Sequence, residues 1–317
     1  MYFPFMYGRQ SELLAIRSLT KDARSLSALV PVIEPVNADV APLAKCFEAC
    51  KGRKLPIALI FNPDKHQLAS RTAATAWRKD ALPLIEKYDS VIPTYRCHSE
   101  TTQENIDAFF KVFPERETAI IYSSSGLSDM ETKALAGRST VRFHMVLNGK
   151  ITSAQRSMVP KSKYVAIQDD FNKLDRNADY GGPELFTDRH KTFSSNGVGF
   201  GDYAAIGSAF QASGSTPAAV AIHAIYKNSA TKDIWIEHFV SDDKDKAIGD
   251  VASKFIQASK KLVNASKRRP NEFGRNFGLD AYEAHVKAST FPGLPKNKEL
   301  QIAHHICLML DVIDGTV

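Results

Sequence analysis

The sequence lacks most of the signals that assign a function by motif. Its 317 residues include only four cysteines, Cys46, Cys50, Cys97 and Cys307, with no CxxC pair and no Cys/His set at zinc-finger spacing. A disulfide scaffold and a zinc finger are thereby excluded, and buried free thiols in a reducing compartment are expected. The nine histidines form no HExxH or HxH, and there is no GxSxG elbow, GxxxxGK[ST] loop or GxGxxG fingerprint. No apolar run reaches the ~18 residues of a membrane span. The opening Met1-Tyr2-Phe3-Pro4-Phe5 has no basic start, long apolar stretch or cleavage site, so a soluble, cytoplasmic protein with no membrane contact is expected.

Strong charge is also missing. Lys and Arg number 41 against 35 Asp and Glu, a net +6. A dedicated nucleic-acid binder usually shows a denser basic stripe. Most of the excess is local: residues 250–276 carry seven Lys or Arg against Asp250 and Glu272. Within that stretch Lys260, Lys261, Lys267, Arg268, Arg269 and Arg275 form either a solvated helix end or a contact for an acidic partner or nucleic acid.

What is present is an ordinary globular composition, 44% apolar and 24% charged, which excludes a disordered or collagen-like chain. Eight β-rich runs recur about every 28 residues: 2–6, 30–34, 57–62, 90–96, 118–123, 141–147, 164–169 and 198–206. Several are nearly continuous in apolar residues, Ile57-Ala58-Leu59-Ile60-Phe61 most clearly, as strands covered on both faces are. Helical patterns sit between them. Examples are Ser11 to Leu19, Ala73 to Lys87, a capping box over Thr101-Thr102-Gln103-Glu104, and a second helix start at Ser128-Asp129-Met130-Glu131. Strand–helix alternation at this period predicts an irregular (β/α)8 TIM-like barrel over 1–206. Residues 207–317 are expected to be a C-terminal hairpin (218–226 and 233–240) and helices (242–264, 279–288, 296–313) packed on the barrel, after a linker-like stretch 207–217.

In such a barrel the site lies at the C-terminal ends of the strands. The polar residues closing the runs are Arg9, Glu34, Asn62 and Asp64, Arg96, Ser123 to Ser125, Asn148, Asp169 and Asp170, and Asp202. Glu34, in Val32-Ile33-Glu34-Pro35-Val36, could be a metal ligand, a general base or half of a buried ion pair with Arg9 or Arg96. Of Asp169 and Asp170 only one can face a pocket, because neighbours on a strand point to opposite faces. Gly199-Phe200-Gly201-Asp202-Tyr203 marks a close backbone approach, to an anion or to the chain itself. Glu34, Asp169 and Asp202 are thus the candidate acid/base or metal residues, and Arg9, Asn62, Arg96 and Tyr203 the candidate ligand contacts. No organic cofactor is evident; a divalent metal is the cofactor those carboxylates could hold. His223 and His238 can face each other on the hairpin as structural histidines.

Several segments resemble the bacterial and phage "beta protein" family, the T-even phage beta protein among them. They are Tyr2-Phe3-Pro4-Phe5 with Gly8-Arg9-Gln10-Ser11-Glu12-Leu13-Leu14, then Val32-Ile33-Glu34-Pro35-Val36, then Gly201-Asp202-Tyr203. The similarity spans roughly residues 1–265. It implies a barrel-like fold, a link to phage defence and a nuclease-like protein partner, and it adds weight to Arg9, Glu34, Asp202 and Tyr203. Two functions are therefore expected: a defence-associated ligand- or partner-binding protein, or a barrel enzyme of the hydrolase or phosphoesterase type. The enzyme would act on a phosphorylated or nucleotide-like substrate at the same mouth.

Overall fold

The computed structural model describes residues 1–124, 126–212 and 217–317. Ser125 and part of the linker-like stretch 207–217 therefore lie outside the described residues. The chain divides into two compact units. Unit one comprises Met1–Arg9, Leu26–Asp169 and Lys191–Tyr203, and unit two comprises Gln10–Ser25, Asp170–His190 and Ala204–Val317. Each unit takes its segments from separate stretches of the chain, so no single cut near residue 206 separates them.

Unit one is the barrel. Its strands are β1 (Phe5–Met6), β2 (Val32–Ile33), β3 (Ile57–Ile60), β4 (Val91–Cys97), β5 (Thr118–Tyr122), β6 (Val141–Leu147) and β7 (Tyr164–Ile167). Pro183–Thr187 (β8) leaves for another sheet, and Gly199–Gly201 (β9) completes the eight. All neighbours pair in parallel in the order β1-β2-β3-β4-β5-β6-β7-β9. The ring closes where Tyr2 bridges to Phe200 and the Phe3 and Phe5 amides donate to the Phe200 and Asp202 carbonyls at 2.9 and 2.8 Å. The irregular (β/α)8 TIM-like barrel is thus the observed fold.

Helices return the chain between strands. The first, α1 (Gln10–Leu19), belongs to unit two. The others in the barrel are α2 (Ala41–Lys51), α3 (Arg71–Lys87), α4 (Gln103–Val112), α5 (Asp129–Ala136), α6 (Ser153–Met158) and α7 (Phe193–Asn196). At the expected helix start, Ser128 and Glu131 form a capping box. On α4 the box sits one residue later than the sequence suggests: Thr102 caps and Asn105 answers, while the Thr101 hydroxyl accepts the His98 amide at 2.9 Å.

Barrel closure explains the glycines at β9. A Cβ on Gly201 would meet the Phe3 carbonyl oxygen at 2.0 Å, and one on Gly199 would meet the Phe3 ring at 2.4 Å. The close approach is therefore to the chain's own first strand, and these glycines are a packing requirement rather than an anion cradle.

Unit two is a three-stranded antiparallel sheet with helices. The expected hairpin is β10 (Ala221–Lys227) and β11 (Ile234–Val240), and β8 adds an edge strand on β11 that sequence reading missed. The helices are α8 (Val251–Arg268), α9 (Pro270–Phe273), α10 (Phe277–Ala288) and α11 (Leu294–Asp314). Helix α8 begins at Val251, not near Asp242. Gly249 takes φ +65°, and the Asp250 carboxylate accepts the Ser253 amide, so the helix is capped there. Ile248, inside the 242–264 segment expected to be helical, is consequently exposed. Ile222, Tyr226, Phe239, Phe255, Leu262 and Phe273 lie at the centre of this unit's core. Helix α11 is buried almost all round, as an apolar helix inside a bundle is.

Candidate functional site

Strand period places the side chains at the barrel mouth. Phe3 faces the bore, since its ring meets Phe143 of β6 edge-on at 5.0 Å. Phe5 shares that face, and its ring lies 4.9 Å from Tyr203. Phe200, by contrast, packs on Phe193 of α7. Asp202, two residues on, shares the outward face. Its Oδ1 accepts the Tyr2 hydroxyl at 2.8 Å, and the residue is fully buried. The structure thus separates Asp202 from Tyr203: the phenol turns to the bore and the carboxylate to the wall.

At the mouth, Glu34 ends β2 and Arg96 lies near the end of β4, both buried. Arg96 Nη1 donates to Glu34 Oε1 at 2.5 Å, and its Nη2 donates to Asp64, which follows β3. Of the two partners open for Glu34 in the sequence, Arg9 and Arg96, the structure selects Arg96. Lys65 Nζ stands 3.8 Å from Glu34 and 3.6 Å from Asp64. Neither Asp64 nor Lys65 was among the chosen site residues. Asp64 closes a run and was legible as a strand-end residue, but Lys65 carried no signal.

The two carboxyls are driven apart. Burial pushes Glu34 above its ordinary range, and the attraction of Arg96 and Lys65 only partly offsets it. Burial also acts on Asp64, but Arg96 outweighs it, and Asp64 is held below the usual carboxylate range with help from a Glu34 hydrogen bond. Glu34 Oε2 meets no donor among the described residues. The site thus acts in opposite senses on its two carboxyls: burial favours the protonated form of Glu34, and Arg96 favours the ionised form of Asp64. Arg96, between two carboxyls, is raised despite its burial. Tyr203 is pushed well up by burial and by the nearby charges of Asp169 and Glu34, so its phenol keeps its proton.

Other strand-end residues extend the ladder. The Asn62 side chain pairs with the Arg96 backbone in both directions at 2.8 Å, imitating one more β-bridge between β3 and β4. Asn148 accepts the Asp169 amide at 2.8 Å, and the Ser123 hydroxyl donates to the Cys97 carbonyl at 2.7 Å. Asp169 is exposed beside Tyr203, whereas Asp170 pairs with Arg189 in unit two. Arg9 is half-buried after Gly8, which takes φ +62°. Glu34, Arg96, Tyr203 and Asp169 therefore come together with Asp64 and Lys65, and Asp202 does not join them. Among the described residues no group of three or more His, Cys, Asp or Glu could hold a metal ion.

The basic stretch is partly tied down. Lys261 pairs with Asp242 at 2.7 Å and Lys267 with Glu283 at 2.5 Å. Arg269 binds Glu237 and lies over the Tyr226 and Phe273 rings at 4.7 and 4.9 Å. Lys260, Arg268 and Arg275 are exposed and make no ion pair among the described residues.

No protein-family model matches this chain, and no curated protein matches it. Among the described residues no helix is long and apolar enough to cross a membrane.

Proposed function

We propose that the chain is a phage-defence-associated binding protein whose barrel mouth recognises a small polar ligand and which acts with a protein partner. The single observation that carries the mouth as a site is the Glu34–Asp64 pair. The two carboxyls are shifted in opposite directions, Glu34 up and Asp64 down, beside Arg96, Lys65 and Tyr203, where strand ends converge. The cluster is compensated before any ligand arrives, so a ligand would exchange partners at the accessible rim of Asp64 and Lys65. The defence context and the nuclease-like partner rest on the resemblance of the opening and Ile-Glu-Pro segments.

A second reading is favoured by the same pair. Carboxyls with pKa values pushed apart are how acid and base roles are divided in hydrolases, so Glu34 would serve as proton donor to a phosphorylated or nucleotide-like substrate. A divalent metal would have to be recruited by the exposed Asp64 and Asp169.

Lys65→Met changes only the rim and should leave thermal melting nearly unchanged, while Asp64→Asn also takes a counterion from buried Arg96 and should lower it. Loss of protection in a phage plating assay by both variants is the expected result. Full protection with either variant correctly folded would remove the mouth from the function. Turnover of p-nitrophenyl phosphate or a nucleotide by the wild type with Mg²⁺ or Mn²⁺, abolished by Glu34→Gln, would replace the binding reading with the hydrolase one.

A further inference from the structure

Unit two contains a cleft that the barrel mouth does not involve. Its volume is about 630 Å³, within the range of small-molecule sites. Tyr180, His238, Ser241, Lys244, Lys261 and Arg268 contribute to its wall. The lining is largely polar, which argues against an apolar ligand. Its two acids are already engaged: Glu237 by Arg269, and Asp242 by Lys261. Lys244 reaches the Ala178 carbonyl at 3.0 Å, and Arg268 has no ion-pair partner among the described residues. The surplus charge facing the cleft is therefore positive.

One wall holds His238, whose ring is paired with that of His223. His223 on β10 stands opposite His238 on β11, with their Nδ1 atoms 2.7 Å apart. Only one proton fits between two such atoms. His238 Nε2 lies 3.2 Å from Glu184 Oε1 on β8, so it carries the hydrogen that this carboxylate accepts. His238 Nδ1 is then the acceptor and His223 Nδ1 the donor. Burial lowers both rings, and they are neutral near pH 7. The groups facing the pair are Glu184 on β8, Glu237 on β11, Lys298 on α11 and the Tyr180 ring, which packs 4.5 Å from His223 and 4.8 Å from His238. Gln301 of α11 fixes the strand by accepting the His223 amide at 2.9 Å.

We propose that this cleft binds a small phosphorylated ligand, its charge met by Arg268 and Lys244 and by one proton taken up from solvent at the His223–His238 pair. A phosphate offers several acceptor oxygens at once, which suits a guanidinium fork and an ammonium group better than a single carboxylate would. Its negative charge stabilises the imidazolium form of the pair, so binding and protonation favour each other. No covalent bond is made or broken. The inference is independent of the barrel-mouth reading.

The test is calorimetric titration of the full chain with pyrophosphate and with AMP, at about pH 6 and pH 8, in buffers of different ionisation enthalpy. Both probes should bind, more tightly at the lower pH, with net proton uptake by the wild type read directly from the buffer dependence. Arg268→Ala should weaken binding by about tenfold or more. His238→Gln should abolish the proton uptake, and Lys260→Ala, on the same helix but outside the cleft, should change nothing. The proposal is overturned if neither probe binds at millimolar concentration, or if Arg268→Ala binds like wild type. It is also overturned if a single-stranded oligonucleotide binds more tightly than AMP and loses affinity with Lys260→Ala and Arg275→Ala, because that would make the surface a nucleic-acid track.

Discussion

The barrel mouth and the second unit bury ionisable groups in different ways. At the mouth, Arg96 is kept charged between Glu34 and Asp64. Unit two keeps such a pair, Arg24 with Asp311, but its sheet and helix α11 also bury neutral imidazoles: His223 with His238, and His304 between Asn276 and the Ile225 carbonyl. The barrel wall repeats that second solution at one place, where buried His144 accepts or donates at Tyr122 and burial lowers it to about 3. A low-dielectric interior tolerates a charge only when an opposite charge is fixed nearby, and otherwise removes it by shifting the proton. Strand ends bring unlike charges into one ring, so the mouth can keep them. The sheet and α11 offer mainly carbonyls and amides, so histidine there stays neutral.

The largest effect should come from removing the cation. Arg96→Ala leaves Asp64 without its main partner and Glu34 without its donor, and should cost about 3 kcal/mol or more in urea unfolding. Glu34→Gln copies the neutral form that burial favours for this carboxyl and should cost under ~1 kcal/mol. Equal losses for the two variants would show that Glu34 is ionised and that the mouth holds two buried anions.

Acid should act most clearly on unit two. His304 Nε2 donates to the Ile225 carbonyl, and Nδ1 accepts from Asn276, whose own oxygen is occupied by the Leu279 amide. A second ring proton has no acceptor, and burial lowers the ring from 6.5 to about 4. The unfolded chain binds the proton first, so stability is full above about pH 6.5 and falls as pH drops toward about 4. The loss should be on the order of 3 kcal/mol. Urea midpoints at pH 7 and 4.5 for wild type and His304→Gln check this. A variant that loses as much stability on acidification as wild type would assign the acid sensitivity elsewhere.

Glycine substitutions give a smaller and opposite pair of effects. Gly201→Ala drives a methyl into Phe3 at the barrel seam and should destabilise by about 1–3 kcal/mol. Gly181→Ala in unit two meets open space at an ordinary φ, and should be neutral or stabilise by up to ~1 kcal/mol. Thermal melting of the two variants separates a seam glycine from a merely flexible one; similar shifts would mean the seam can relax.

Much of this was legible in the residues. Eight apolar runs at a steady period mark eight barrel strands, because strands covered on both faces must be apolar throughout. Ser128 with Glu131 marks a helix start, because capping is local chemistry. His223 opposite His238 follows from the hairpin register. Strand β8 was not legible: Pro183-Glu184-Leu185-Phe186-Thr187 is short, begins with proline and leaves Leu185 exposed. The late start of α8 was missed because Ile248 fits the helical spacing although Gly249 and Asp250 interrupt it.

The candidate site divides along the same line. Sequence alone determined that the barrel exists and that Glu34, Arg96, Asp169 and Tyr203 end its strands, since periodicity and strand length are properties of neighbouring residues. Tertiary structure decided the rest. It chose Arg96 over Arg9 for Glu34, brought in Asp64 and Lys65, turned Asp202 to the wall and spent Asn62 on the backbone ladder. Those choices depend on distances between residues far apart in the chain and on local burial, and both arise only when the barrel closes.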